Sequence, residues 1–188
     1  MMLNKKTHAQ QDLMNYQDNK KTIDMKKYKK EWTDDDFDSM GWHDNKIYSM
    51  QYDEEKFELA FDIDYIFEWI TDSDKFSYVL SASTIKFYNV WDLNIDVNPH
   101  GEIRINEIIR ANPITPKNAE YIEKKIEWDW DIDLFYGNIS FKSVGFTQYL
   151  RGQLVSQDSQ TLSMDYRKDL SNYINSLNLD SNSSLVIL

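Results

Sequence analysis

The sequence predicts a mainly β protein, an antiparallel β-sandwich or a strongly curved sheet, with a short C-terminal helix. Three observations predict it. Apolar and polar residues alternate along several segments between residues 45 and 146, the pattern of half-buried strands. Those segments follow one another through short connections with no helical pattern between them, which disfavours parallel β-α-β units. Helical spacing is confined to the end of the chain, where Leu170, Tyr173, Ile174 and Leu177 mark a helix over about Asp165 to Leu177. An open antiparallel sheet capped by a helix is the competing arrangement.

The elements divide the chain into a basic arm at residues 1–33, an acidic β-domain at 34–160 and a helix with a tail at 161–188. The arm holds eight lysines against four acids, and its apolar residues Ile23, Met25, Tyr28 and Trp32 are spaced too loosely for more than a marginal helix. Next come the acidic segment Asp34-Asp35-Asp36-Phe37-Asp38 and then Trp42-His43-Asp44.

The first clean strand places Phe57, Leu59, Phe61, Ile63 and Tyr65 on one face and Glu58, Ala60, Asp62 and Asp64 on the other. It lies between the turns Asp53-Glu54-Glu55-Lys56 and Thr71-Asp72-Ser73-Asp74, built from Asp, Ser and their neighbours because glycine is scarce. Ser83 to Val90 and Leu93 to Val97 read as strands broken near Trp91-Asp92, and Ile103 to Ile109 alternates less cleanly.

The most regular strand is Ile126 to Leu134. Ile126, Trp128, Trp130, Ile132 and Leu134 face one way, and Glu127, Asp129, Asp131 and Asp133 the other. Tyr136-Gly137-Asn138 turns it into a strand from Ile139 to Phe146, and the chain leaves the sheet near Arg151-Gly152. That makes seven or eight strands.

Composition bounds the function. At 188 residues one compact domain with appended termini is expected, and 27 aromatic residues provide a large core. With 32 acidic against 21 basic groups the net charge is −11; outside the arm 13 basic face 28 acidic groups, a net of −15. Such a body repels nucleic-acid phosphate and anionic lipid and favours cationic partners. Direct nucleic-acid binding and membrane association are therefore not expected. The N-terminus lacks a secretory signal pattern, so the expected compartment is the cytoplasm. Cysteine is absent, which removes thiol nucleophiles and thiolate zinc sites. The five glycines form neither a Walker loop nor a dinucleotide fingerprint, and neither H-E-x-x-H nor G-x-S-x-G occurs. No cofactor is expected.

Two constellations stand out. Glu127, Asp129, Asp131 and Asp133 form a row of negative charge with a spacing of about 7 Å, which Asp62 and Asp64, or Asp92 and Asp96, would widen from neighbouring strands. Mutual repulsion in water is only about 0.6 kcal/mol per adjacent pair, so a solvated face and a docking face for a basic protein are both admissible. Asp129-x-Asp131-x-Asp133 is not an EF-hand loop, because Leu134 and Ser140 stand where glycine and glutamate are needed. The second constellation is His43 and Asp44. Meeting Asp62 and Asp64 across the sheet, they would give one nitrogen and up to three oxygen donors for a divalent hydrolytic metal; alone, they cap the start of a strand. Trp128 and Trp130, with the nearby Phe135 and Tyr136, fit core positions better than a ligand-stacking platform.

Four stretches, FDSMGWHDNKIY, ELAFDIDYIFEW, STIKFYNVWDLNIDV and GNISFKSVGFTQYLR, resemble in this order a family of small bacterial proteins of uncharacterised function, over about residues 34 to 152. The resemblance implies no activity, cofactor or catalytic residue. More distantly, the His43-Asp44 pair, the strand at Phe61-Asp62-Ile63 and the strand from Thr84 to Leu93 are similar to mostly-β immunity proteins of bacterial polymorphic toxin systems. Charge and resemblance together lead to a non-enzymatic acidic module that neutralises a basic protein, with a nuclease-type toxin as the concrete partner. The alternative is a divalent-metal-dependent hydrolase using His43, Asp44, Asp62 and Asp64. A third reading has the apolar tail Leu185 to Leu188, or the arm, pairing with another chain.

Overall fold

The computed structural model describes residues 28–72, 75–98, 100–168 and 185–186. Among them the protein is mainly β, with the strands β1 (Glu31–Thr33), β2 (Lys46–Asp53), β3 (Glu58–Asp72), β4 (Lys75–Phe87), β5 (Trp91–Val97), β6 (Ile103–Ile114), β7 (Glu127–Leu134), β8 (Gly137–Ser143), β9 (Phe146–Leu150), β10 (Val155–Gln157) and β11 (Leu185–Val186). All pairings are antiparallel. The sheet runs β1-β9-β4-β3-β2-β6-β7-β8-β5 and is not closed into a barrel; β10 adds to β4 and β11 to β2.

The sheet bends where β2 meets β6, a junction of two residue pairs, Lys46 with Arg104 and Ile47 with Ile103. The bend turns the two halves toward each other around a single core. Phe61 and Phe87 from one half meet Trp130 and Phe141 from the other, with Phe87 5.0 Å from Trp130 and 4.7 Å from Phe141 between ring centroids. Each such side chain contributes about 1.5–3 kcal/mol through burial, and the edge-to-face geometry suits the ring quadrupoles. A 3-10 helix over Asp34–Ser39 plugs one end. Its Phe37 packs on Trp42, Trp130 and Phe146, while Asp36 accepts a hydrogen bond from the Thr33 backbone at 3.0 Å.

The alternation of β3 and β7 is realised: Leu59, Phe61, Ile63 and Tyr65 are buried, as are Trp130, Ile132 and Leu134. Several details differ from the sequence-based expectation. Glu31–Thr33, assigned by composition to the arm, pair with β9, and Trp32 is buried. Phe57 is not the first inward residue of β3 but an exposed turn residue with φ +54°. The β7–β8 loop is Phe135-Tyr136, one position earlier than expected, because Leu134 already pairs with Gly137. The strand expected from Ile139 to Phe146 is two, interrupted at Gly145 with φ +137°. Leu185–Val186 pair with Gln51 and Met50 of the chain's own β2. Residues 164–168 are helical; the rest of the expected helix and the first 27 residues lie outside the described residues. No helix among the described residues is long and apolar enough to cross a membrane.

The bend leaves two outer faces with different fates. Over β3 and β4, the segment from Gly152 to Lys168 lays Val155, Leu162 and Tyr166 onto Ile66, Leu80 and Ala82. The outer face of β5-β8-β7-β6 carries exposed or half-exposed side chains, among them Asn94, Asp96, Glu107, Asp131 and Asp133.

Candidate functional site: two acidic rows

The two acidic rows of the sequence sit on these two outer faces, and their surroundings differ in charge. Asp62 and Asp64 lie under the segment that covers β3 and β4. Arg167 donates to both, through Nη2 to Asp62 and Nη1 to Asp64, and Arg151 donates to Asp62. Asp64 also accepts from Tyr48 Oη at 2.7 Å and from the Leu162 backbone at 2.8 Å. The Arg167 guanidinium stacks on the Tyr48 ring, 3.6 Å from its centroid. Burial pulls Arg151 down to about 10, with the neighbouring Arg167 charge adding to the effect, so Arg151 stays cationic at neutral pH; burial lowers Arg167 as well, opposed by the Asp64 carboxylate. Two carboxylates facing two guanidiniums make a compensated cluster.

His43 and Asp44 are not part of it. They lie just before β2, where Asp44 takes a left-handed φ of +64° and its carboxylate accepts from Gln160 Nε2 at 2.9 Å. Among the described residues no group of three or more His, Cys, Asp and Glu side chains is placed to hold a metal ion. The donors the metal reading needs are thus apart, and Asp62 and Asp64 already face arginines.

On the open face the register brings Asp96 of β5, Asn138 of β8, Asp133 of β7 and Glu107 of β6 into one transverse row. Asp131 and Asp129 follow along β7. The row is widened from β5 by Asp96 and from β6 by Glu107, whereas β3 is two strands away and contributes nothing to it. Asparagines orient the carboxylates: Asn106 donates to Asp133 at 2.6 Å, Asn138 to Asp131 at 3.0 Å and Asn112 to Asp129 at 2.9 Å. An amide satisfies a carboxylate oxygen without cancelling its charge. Among the described residues Asp129 alone of the three also meets a cation, Lys142, whose hydrogen bond holds it below the usual carboxylate range.

Glu127 departs from this pattern. It is 3% exposed, because Trp91 of β5 folds over it and donates its indole N–H to the carboxylate at 2.8 Å. Asp129, Asp131 and Asp133 therefore form the accessible part of the predicted row.

Phe135 and Tyr136, expected in the core with Trp128 and Trp130, are exposed instead, because they form the β7–β8 loop. Two residues after Asp133, exposed Phe135 meets the His43 ring edge-on at 5.8 Å, and His43 stacks on exposed Trp69 at 6.2 Å. Asn106 links the two groups, since its carbonyl lies 3.1 Å from His43 Nδ1 while its amide holds Asp133. The rings come from three segments far apart in sequence, so no spacing reveals them. The exposed aromatic of a two-residue hairpin loop is the only local signal.

Comparison with protein-family models, with curated proteins and with solved structures found no match for this chain.

Proposed function

We propose that this protein is a non-enzymatic acidic binding module, of the immunity type, that docks and neutralises a basic protein through the open face of β5-β8-β7-β6. The observation that carries the reading is the contrast between the rows. Asp62 and Asp64 are neutralised internally, whereas Asp131 and Asp133 are oriented by neutral amides and keep their charge at the surface. Preorganised, uncompensated charge accelerates encounter with a cationic partner and disfavours anionic ones. The adjoining Trp69, His43 and Phe135 rings supply the apolar anchor that charge alone lacks, since aromatic residues dominate binding energy at interface centres.

The test begins with capture from native-host lysate at low and high salt, followed by association kinetics with the purified partner. Asp131→Asn and Asp133→Asn together are expected to slow association and flatten its dependence on ionic strength, by about tenfold at low salt. Glu127→Gln is the internal control and leaves association unchanged, because its carboxylate is covered. Identical kinetics for the double variant and the parent would end this reading.

A further inference from the structure

A cavity of about 730 Å³ opens on the side of the molecule where the β2–β3 turn, the β4–β5 link and the segment before β7 converge. Its apolar walls include the rings of Phe57, Tyr88 and Trp91, and its lining carries Lys56, Lys117 and Lys124 against Glu123 and Glu127. Three lysines against two glutamates leave the lining net positive in a chain of net charge −11. Lys56 and Lys124 have carboxylate partners in Asp53 and Asp34. Lys117 forms no ion pair among the described residues and sits over the Trp91 ring, 5.7 Å from its centroid.

Two features indicate that the rings are held for a ligand. Trp91 is 41% exposed, yet its orientation is set by the buried Glu127 carboxylate on its indole nitrogen. Phe57 is 53% exposed and stands at φ +54°, in the closing position of a four-residue turn whose carbonyl is tied to the Val90 N–H at 2.8 Å. Glycine or asparagine suits that conformation, and a bulky ring there is an outlier. So little burial gives the ring no structural return for the backbone strain. Strain kept beside a cavity points to use of the side chain.

We infer that this cavity binds a small organic anion with a flat unsaturated ring system, an aryl carboxylate or aryl sulfonate. The ring of the ligand stacks against Trp91 and Phe57, and its anionic group meets Lys117, which supplies a charge-assisted contact. The site adjoins the open acidic face at Trp91, whose ring Lys142 also overlies, but does not depend on the binding-module reading.

The experiment is calorimetric titration of the full chain with naphthalene-2-sulfonate, with neutral 2-naphthylmethanol and aliphatic hexanesulfonate as comparison arms. One molecule of naphthalene-2-sulfonate per chain is expected, with each comparison compound weaker by about tenfold or more. Lys117→Gln weakens binding about fivefold and removes most of its salt dependence. Phe57→Gly weakens it about tenfold while leaving the thermal midpoint unchanged or higher, because the left-handed strain is relieved. The inference is overturned by an absence of stoichiometric binding, by equal binding of the neutral compound, or by full affinity in both variants. A lower midpoint for Phe57→Gly would also overturn it, since the ring would then be structural.

Discussion

Asp64 of β3 and Arg167 of the C-terminal helical turn form an ion pair in which the aspartate is fully buried and the arginine nearly so. The pair joins residues 103 positions apart and fastens the C-terminal segment to the outer face of β3 and β4. Among the described residues, replacing Arg167 by alanine leaves Asp62 with Arg151 alone and Asp64 with no ion-pair partner. Loss of one partner from a buried pair costs about 3–5 kcal/mol, so Arg167→Ala is expected to lower stability by that amount in urea unfolding. Asp64→Asn in the Arg167→Ala background should recover part of the loss, because no unpaired carboxylate then stays buried. A loss below about 1 kcal/mol for Arg167→Ala would show the contact to be a surface-type pair.

Tyr48 gives the same cluster a pH signature. Burial first, and the Asp64 carboxylate second, push its phenol above the ordinary 10.0. The folded state therefore keeps a proton that the unfolded state releases above pH 10, and the stability Tyr48 supplies is full below that pH and is lost above it. Tyr48→Phe keeps the ring under Arg167 but loses the hydrogen bond to Asp64, at a cost of about 1–2 kcal/mol near neutrality. The expected result is a stability gap between parent and variant that is constant up to pH 10 and narrows beyond it. Urea midpoints measured from neutral to alkaline pH check this, and a gap that stays constant throughout would refute it.

The sequence made the strands legible because inward and outward parity is a local property. Leu59 to Tyr65 and Trp130 to Leu134 sort themselves by alternation alone. Parity also placed Asp129, Asp131 and Asp133 on one face without knowledge of any neighbour. What covers a face is not local. Glu127 shares the parity of those aspartates and is buried only because Trp91, 36 residues earlier, lies over it. Asp62 and Asp64 look like a free acidic pair until Arg151 and Arg167, 89 and 105 residues from Asp62, are brought onto them. Phe57 fits the alternation yet falls in the turn, where chain reversal rather than burial decides its conformation. The short strands β1, β10 and β11 are too brief to show a period and depend on the edges they join.

Gly145 tests how the interruption between β8 and β9 is held. Its φ of +137° is a conformation that L side chains rarely adopt, and a methyl group there would run into the Asp34 carboxylate. That carboxylate has two tasks, accepting from the Phe146 backbone at 2.9 Å and pairing with Lys124, so it is not free to swing away. Gly145→Ala is therefore expected to cost about 1–3 kcal/mol. Backbone strain and collision with Asp34 are separated by a double-mutant cycle. If strain alone acts, Gly145→Ala costs the same with Asp34 intact or replaced by alanine. If the collision contributes, the cost falls by about 1 kcal/mol in the Asp34→Ala background, since the obstructing oxygens are gone. The geometry predicts the second outcome, measured by urea unfolding of the four proteins of the cycle.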